Sequence, residues 1–313
     1  MTSPIALTGA SGFIGRSLVQ RLTEGGHSVR VLLRRPDAEL EALGVDSLQG
    51  SLDDAASLRR LVEGARAVVH CAGAIRARRR SDFTAVNVAG TARLVSVAAE
   101  SQARPRVLLM SSLAAREPAV SPYAASKRGG EEALFREARG LEHLCLRLPA
   151  VYGPGDRATL ALFRQLNRGL AVLPAPLDNR FSLLYIQDLV GLVERLLQKK
   201  AWPGTTVEVD DGRSGGYAWR QLPEIAAQQL DRRVRAVSVP PALLWGTATA
   251  SEAVSALLGL APIWTRGKLR EFLHADWVSR RDGAVDLEGW RPETQLQQGL
   301  APTIAWYRRA GWL

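Results

Sequence analysis

Apolar positions follow two alternating rhythms through the first half of the chain. Short, nearly continuous apolar runs occur at Ile5–Leu7, Val29–Leu33, Ala67–Ala72, Val107–Met110 and Leu144–Leu148. Between them, Leu, Val and Ala return every three or four positions, as in Leu18-Val19-Leu22, Leu58-Leu61-Val62 and the stretches 87–99 and 123–138. The runs suit strands buried on both faces, and the spaced stretches suit amphipathic helices. Asp46–Leu48 adds a short strand, and 37–43 a further helical pattern. Strands and helices alternating at this spacing predict an α/β fold, a doubly wound parallel sheet with helices on both faces.

After Gly153-Pro154-Gly155 the rhythm loosens. Helical patterns at 160–166, 188–197 and 219–230 are separated by strand-like stretches at 180–184 and 206–209, and the rest reads as mostly helical and Trp-rich. The pattern predicts two domains. Residues 1–155 with about 185–210 form the first; 156–184 and 211–313 form a smaller, mostly α-helical C-terminal domain that closes over the sheet's carboxyl edge.

The junction of the first strand and helix carries Thr8-Gly9-Ala10-Ser11-Gly12-Phe13-Ile14-Gly15. Glycines at this spacing, between strand and helix, bring bare backbone amides against a dinucleotide pyrophosphate. Gly9 permits the tight turn, Gly12 the close approach of the phosphates, and Gly15 the packing of helix on strand. Further along, Ser112 ends a predicted strand, and Tyr123-Ala124-Ala125-Ser126-Lys127 opens a predicted helix. Positions i and i+4 share a helical face, so the phenol and the ammonium lie side by side. A neighbouring cation favours phenolate and suits a tyrosine to exchange a proton with an alcohol or ketone near neutral pH. Ser112 can hydrogen-bond the same oxygen.

On these residues the chain resembles the extended short-chain dehydrogenases/reductases, the group that includes the NAD-dependent epimerase/dehydratase family. The likeness extends over His70–Gly73, Val86–Thr91, Ser111-Ser112, Ser121–Lys127, Arg147–Asp156, Asp276-Trp277 and Trp306–Gly311. It implies a Rossmann-type fold, with a substrate domain after it. Tyr123 would be the general acid/base, Lys127 would also hold the nicotinamide ribose, and Ser112 would polarise the substrate oxygen. The pyrophosphate turn Gly9, Ser11, Gly12, Phe13, Ile14 and Gly15 would hold the cofactor. Ala72 and Gly73 would pass beneath it, Asn87 would support the site from its helix, and Pro149 and Val151 would border the nicotinamide. The resemblance also implies a homodimer joined through the helices at 87–99 and 123–138.

Two departures refine the cofactor. NAD-binding members end the second strand with an acid that bonds the adenosine ribose; here Val31-Leu32-Leu33 is followed by Arg34-Arg35. A guanidinium binds a 2′-phosphate that a carboxylate repels, so NADP is the preferred cofactor and NAD the other possibility. Similar proteins often have Gly-Asp-Leu after the third strand, the Asp contacting adenine; here Gly50-Ser51-Leu52 leaves Ser51 and Leu52 at that position.

Composition narrows the setting. Hydrophobic content of 46% with 23% charged residues is that of a globular protein, and no apolar run reaches the length of a membrane span. Met1–Pro4 lead straight into the first strand without a secretory pattern, and Cys71 and Cys145 lie in apolar runs, so a reducing, cytoplasmic location is expected. The four histidines have no ligand spacing, and no metal is expected. The net charge of +10 comes from arginines spread along the chain without a nucleic-acid motif, so no nucleic-acid partner is expected. Arg76-Ala77-Arg78-Arg79-Arg80 reads as a solvated basic loop, with an anion clamp for the substrate as the other reading. Val239–Trp264 carries one charged residue, Glu252, and reads as a buried helix of the second domain. Its other readings are an apolar substrate lid or a peripheral membrane contact, although Gly246, Thr247, Thr249 and Ser251 make it a poor anchor.

The combined expectation is an NAD(P)-dependent oxidoreductase passing a hydride between nicotinamide and a ketone or alcohol of anionic or apolar type. A nucleotide-sugar epimerase or dehydratase that returns the hydride is the alternative. A non-catalytic cofactor-binding scaffold is the third reading, disfavoured because both Tyr123 and Lys127 are kept. The short stretch between Ser112 and Tyr123 is compatible with an open site and a bulky substrate.

Overall fold

The apolar runs become neighbouring strands of one sheet. In the computed structural model, which describes residues 3–199, 201–262, 264–280, 287 and 289–313, these are β1 (Ile5–Thr8), β2 (Val29–Leu33), β3 (Asp46–Gln49), β4 (Ala67–His70), β5 (Arg106–Ser112), β6 (His143–Leu148) and β7 (Thr205–Glu208). Their order is β7-β6-β5-β4-β1-β2-β3. The pairings β1–β2, β1–β4, β2–β3 and β4–β5 are parallel. Every residue of β1 and β4 is buried, which is why these strands read as unbroken apolar runs. The order runs outward from β1 on one side and from β4 on the other. That makes the β1/β4 boundary the switch point, where doubly wound sheets bind ligands.

The helices that frame this edge are α1 (Phe13–Glu24), α2 (Ala55–Val62), α3 (Thr91–Glu100) and α4 (Pro122–Glu137). Leu58 and Leu61 of α2, Leu94 and Val95 of α3 and Leu134 of α4 share one core with Val68, Val107 and Cys145 of the sheet. The helix predicted from Asn87 begins differently. Ala85–Gly90 forms a π turn before α3, a local widening that recurs at functional sites.

The described residues fall into two compact units. One holds those within Met1–Arg147 and Val190–Val207, with Leu287; the other holds those within Leu148–Leu189, Glu208–Arg281 and Glu288–Leu313. The division passes through the helix Ile186–Gln198. Tyr152, Phe163, Tyr217, Leu300, Ile304 and Tyr307 centre the core of the second unit. Beside its helices this unit holds three small sheets: Ala150–Tyr152 with Leu183–Tyr185, Arg180–Phe181 between Tyr217–Ala218 and Asp276–Trp277, and Leu170–Pro174 with Arg235–Val239. The last pair has no counterpart in the sequence reading. Each strand has only five residues, and their pairing across more than sixty positions supplies what local pattern lacks.

One expectation is overturned. The apolar segment read as a buried helix is a helix at Pro241–Leu257, but Ala248 is its only fully buried residue. Leu243 is 63% exposed, Val254 54% and Leu257 87%. Apolar residues surround this helix on most sides, and its neighbour Arg266–Leu273 covers one stripe only.

Candidate active site

The turn between β1 and α1 is shaped by backbone sterics. Gly9 has φ +76°, and a Cβ there would stand 2.5 Å from the Ala72 amide nitrogen at the end of β4. A Cβ on Gly15 would stand 2.1 Å from the Gly9 carbonyl oxygen. Gly12 caps α1 without a side-chain partner, and no acid lies in the first turn. The amides that open α1 therefore have no partner within the helix, and the positive end of its dipole is unneutralised by a side chain. We expect Gly15→Ala to abolish nucleotide binding, since the added Cβ would collide with the backbone of Gly9 and Ala10, where no flexible side chain can give way. Titration of NADPH fluorescence checks it; wild-type affinity in a folded variant would refute it.

Arg34 lies exposed just past β2 and makes no hydrogen bond or ion pair among the described residues. The nearby acid Asp37 is otherwise engaged: it accepts from Arg16 at 2.6 Å and from the Leu40 amide at 3.3 Å, capping the helix Ala38–Glu41. Past β3, Ser51 Oγ accepts the Asp53 amide at 3.3 Å, closing the turn before Asp54 caps α2. Leu52 packs against Gly90 of the π turn, where a Cβ would come within 2.9 Å of it.

Behind the glycine turn lies a buried polar chain that the sequence reading missed. His70 Nδ1 is 2.6 Å from Thr8 Oγ1, and Nε2 is 2.9 Å from Thr91 Oγ1. Thr91 donates its one hydroxyl proton to the Asn87 carbonyl at 2.8 Å. Its oxygen then accepts from His70 Nε2–H, which leaves Nδ1 to accept from Thr8. Burial, reinforced by the Lys127 charge, lowers the His70 pKa to about 3, in keeping with this neutral tautomer. Asn87 itself is buried. Its Oδ1 accepts the Ala74 amide at 2.7 Å, and its Nδ2 donates to the Ala74 carbonyl at 3.0 Å and to Ser126 Oγ at 2.8 Å. Ser126 in turn donates to the Tyr123 carbonyl at 2.7 Å. Asn87 thus clips the loop leaving β4 to the first turn of α4. Gly130 makes room for the π turn: a Cβ there would lie 2.4 Å from the Asn87 carbonyl oxygen.

Helix α4 starts where its sequence says it should. Ser121 accepts the Ala124 amide at 3.0 Å, and Pro122 occupies the first turn. Tyr123 and Lys127 follow one turn apart, and the Tyr123 ring meets Phe83 edge-on at 6.1 Å. Lys127 Nζ donates to the Met110 carbonyl of β5 at 2.7 Å. Desolvation lowers the Lys127 pKa, with the thiols of Cys145 and Cys71 and the Glu131 carboxylate pulling the other way. The Gly73 backbone passes beside it; a Cβ there would be 3.3 Å from Asn87 Oδ1 and 3.9 Å from Lys127 Nζ. Ser112 ends β5 and accepts the Ala114 amide at 3.2 Å, which leaves its own proton available to donate.

Beneath these groups is a second missed feature. Ser111 donates to Glu131 Oε1 at 2.6 Å, and Arg147 grips the same carboxylate through Nε at 2.9 Å and Nη2 at 2.7 Å. Glu131 is 3% exposed and Arg147 14%. The spacing Lys127-x-x-x-Glu131 was the available signal, since it puts the carboxylate one turn below the lysine. Pro149 and Val151 belong to the second unit, where Val151 is half-buried in the strand Ala150–Tyr152 opposite Leu184.

A glycine turn that side chains would fill, free amides at a helix start, and bare backbone at Gly73 beside a desolvated lysine fit a dinucleotide with a nicotinamide. Fold and site together define a Rossmann-type, nucleotide-dependent enzyme. The chain belongs to the NAD dependent epimerase/dehydratase family, whose model matches residues 5–209. The ceramide reductase of Caulobacter vibrioides is 36% identical over 311 residues, spanning 99% of this chain and 96% of that protein. The UDP-glucose 4-epimerase of Vibrio cholerae is 26% identical, spanning 99% and 97%. The solved structure of MoeE5 in complex with UDP-glucose and NAD has a TM-score of 0.73 at 22% identity, covering 98% of this chain and 99% of that one, a likeness of fold.

Proposed function

We propose that the chain is an NADP-preferring reductase of a ketone on a long-chain, ceramide-like lipid. The observation that carries the reaction type is Tyr123 one helical turn from a desolvated Lys127, with Ser112 at the end of β5. The bound cofactor supplies the hydride. Gly9, Ser11, Gly12, Phe13, Ile14 and Gly15 hold the pyrophosphate on backbone amides, with Ser51 and Leu52 at the adenine. Ala72, Gly73 and Asn87 shape the nicotinamide side, and Lys127 bonds its ribose. As the carbonyl oxygen gains charge, Tyr123 gives it a proton and Ser112 a hydrogen bond. The Lys127 ammonium favours the phenolate that remains.

The lipid ketone is supported by the ceramide reductase relative, whose likeness runs the full length of the chain. The epimerase reading is favoured by the Vibrio relative and by the exposed Arg76, Arg78, Arg79 and Arg80; here Arg80 opens a short helix, Arg80–Thr84. Stoichiometric NADPH consumption with an N-acylated long-chain amino ketone supports the reductase. Cofactor retained through purification, with no net consumption on any ketone, supports the epimerase instead. The NADP preference rests on Arg34, exposed and unengaged, while Asp37 is occupied by Arg16. Arg34→Ala should weaken NADPH binding about tenfold or more while leaving NADH little changed. Equal wild-type affinities for the two would remove the preference. A cytoplasmic homodimer joined through α3 and α4 completes this reading.

A further inference from the structure

We propose that the helix Pro241–Leu257 and the following Leu258–Leu260 form a docking face for an anionic lipid bilayer. Five large apolar side chains here are more than half exposed: Leu243, Val254, Leu257, Leu258 at 66% and Leu260 at 59%. Elsewhere among the described residues only Ile75 is so exposed, so the apolar surface is concentrated in one segment. Leu243, Gly246, Ala250, Ala253, Val254 and Leu257 recur at helical spacing, and all are exposed.

Both threonines and the glutamate of this helix are already engaged. Thr247 and Thr249 donate back to the carbonyls of Leu244 and Trp245 at 2.8 and 3.0 Å. Glu252, the one charged residue on the helix, is held by Arg266 through its side chain at 2.7 Å and its amide at 2.8 Å. The two threonine hydroxyls that argue against an anchor in sequence thus present little unmet polarity to an apolar phase. Half-buried Trp245 and Trp264 lie on and beside the helix; Trp264 Nε1 donates to Thr247 Oγ1 at 3.2 Å. Rings of this amphipathic kind favour the level of lipid headgroups.

Charge selects the occupant. From Asp231 to Glu271 the chain has six Arg or Lys and three acids, of which Glu252 pairs with Arg266 and Glu271 with Lys268. Arg232, Arg233, Arg235 and Arg270 are exposed on either side of the apolar stretch in the chain, and the Arg270 guanidinium lies 5.9 Å from the Trp245 ring. An apolar centre flanked by cations matches an anionic headgroup layer over acyl chains. A second copy docked on the same face would set these like charges against each other. No helix among the described residues is long and apolar enough to cross a membrane, so the contact lies in the plane of the interface.

The test is co-sedimentation of the full chain with phosphatidylcholine–phosphatidylglycerol vesicles against pure phosphatidylcholine. Binding to the mixed vesicles is expected to be about tenfold or more stronger, and to weaken with salt. The double variant Leu243→Glu/Leu257→Glu should lose it while keeping the wild-type thermal midpoint, because both side chains are exposed. Equal sedimentation of variant and wild type overturns the proposal, as does an unbound wild type. So does a wild-type dimer that the double variant dissociates, which would make the face a contact between copies. Vesicle binding is read without turnover, so its failure and the failure of the reductase reading are separate results.

Discussion

On the proposed reductase reading, Tyr123→Phe is expected to leave a folded protein that binds NADPH with near wild-type affinity and turns over a ketone about a thousandfold more slowly. The substitution removes one oxygen. The backbone contacts of Tyr123, above all the bond from Ser126 to its carbonyl, do not depend on the hydroxyl, and the ring keeps its edge contact with Phe83. In the proposed reaction the variant lacks the proton that the phenol would deliver to the carbonyl oxygen. Ser112 can still stabilise that oxygen through a hydrogen bond, so residual turnover is expected. Pre-steady-state measurement of NADPH oxidation, with cofactor affinity from fluorescence titration, checks both halves. An unchanged rate would show that the proton comes from elsewhere and would end the reductase mechanism as drawn.

Glu131→Ala is the substitution with the largest expected effect on stability, about 3 kcal/mol, because it removes a buried carboxylate that accepts from both Arg147 and Ser111. Arg147 spends two donors on that carboxylate and Ser111 a third. The carboxylate they face is almost fully buried, so the bonds it accepts are made away from water. The double variant Glu131→Leu/Arg147→Met should recover most of the loss, because an apolar pair removes both the charge and its desolvation cost. Urea unfolding of the three proteins tests this. A single variant as stable as wild type would mean that the ion pair contributes nothing net. The double variant also separates stability from positioning: it restores packing under Ser111 and Lys127 without the carboxylate that helps keep Lys127 charged.

Much of the candidate site is legible in the sequence, for a local reason. The glycines of the first turn, the Ser121-Pro122 cap, and Tyr123 with Lys127 each act within a few residues of chain, so spacing alone carries their geometry. The partners that hold them do not. Thr8, His70 and Thr91 are spread over more than eighty positions, and Glu131 meets Ser111 and Arg147 only because α4 lies across β5 and β6. A threonine or a histidine in an apolar run looks like any other; only adjacency in the sheet makes His70 the link between Thr8 and Thr91.

The apolar segment 239–264 shows the converse. Its composition argues for burial, yet burial depends on how many neighbours a helix has, and among the described elements the short helix Arg266–Leu273 is the main one this helix packs on. By itself, then, the sequence determined the alternating sheet, the glycine turn, the tyrosine–lysine face and the arginine after β2. All of these follow from covalent geometry, from unbroken apolar runs and from the helical period of 3.6 residues. The tertiary structure alone decided which buried polar groups pair, that a π turn aims Asn87 at the loop after β4, and which apolar surface stays in the open. Those outcomes depend on contacts between residues far apart in the chain, which no local pattern encodes.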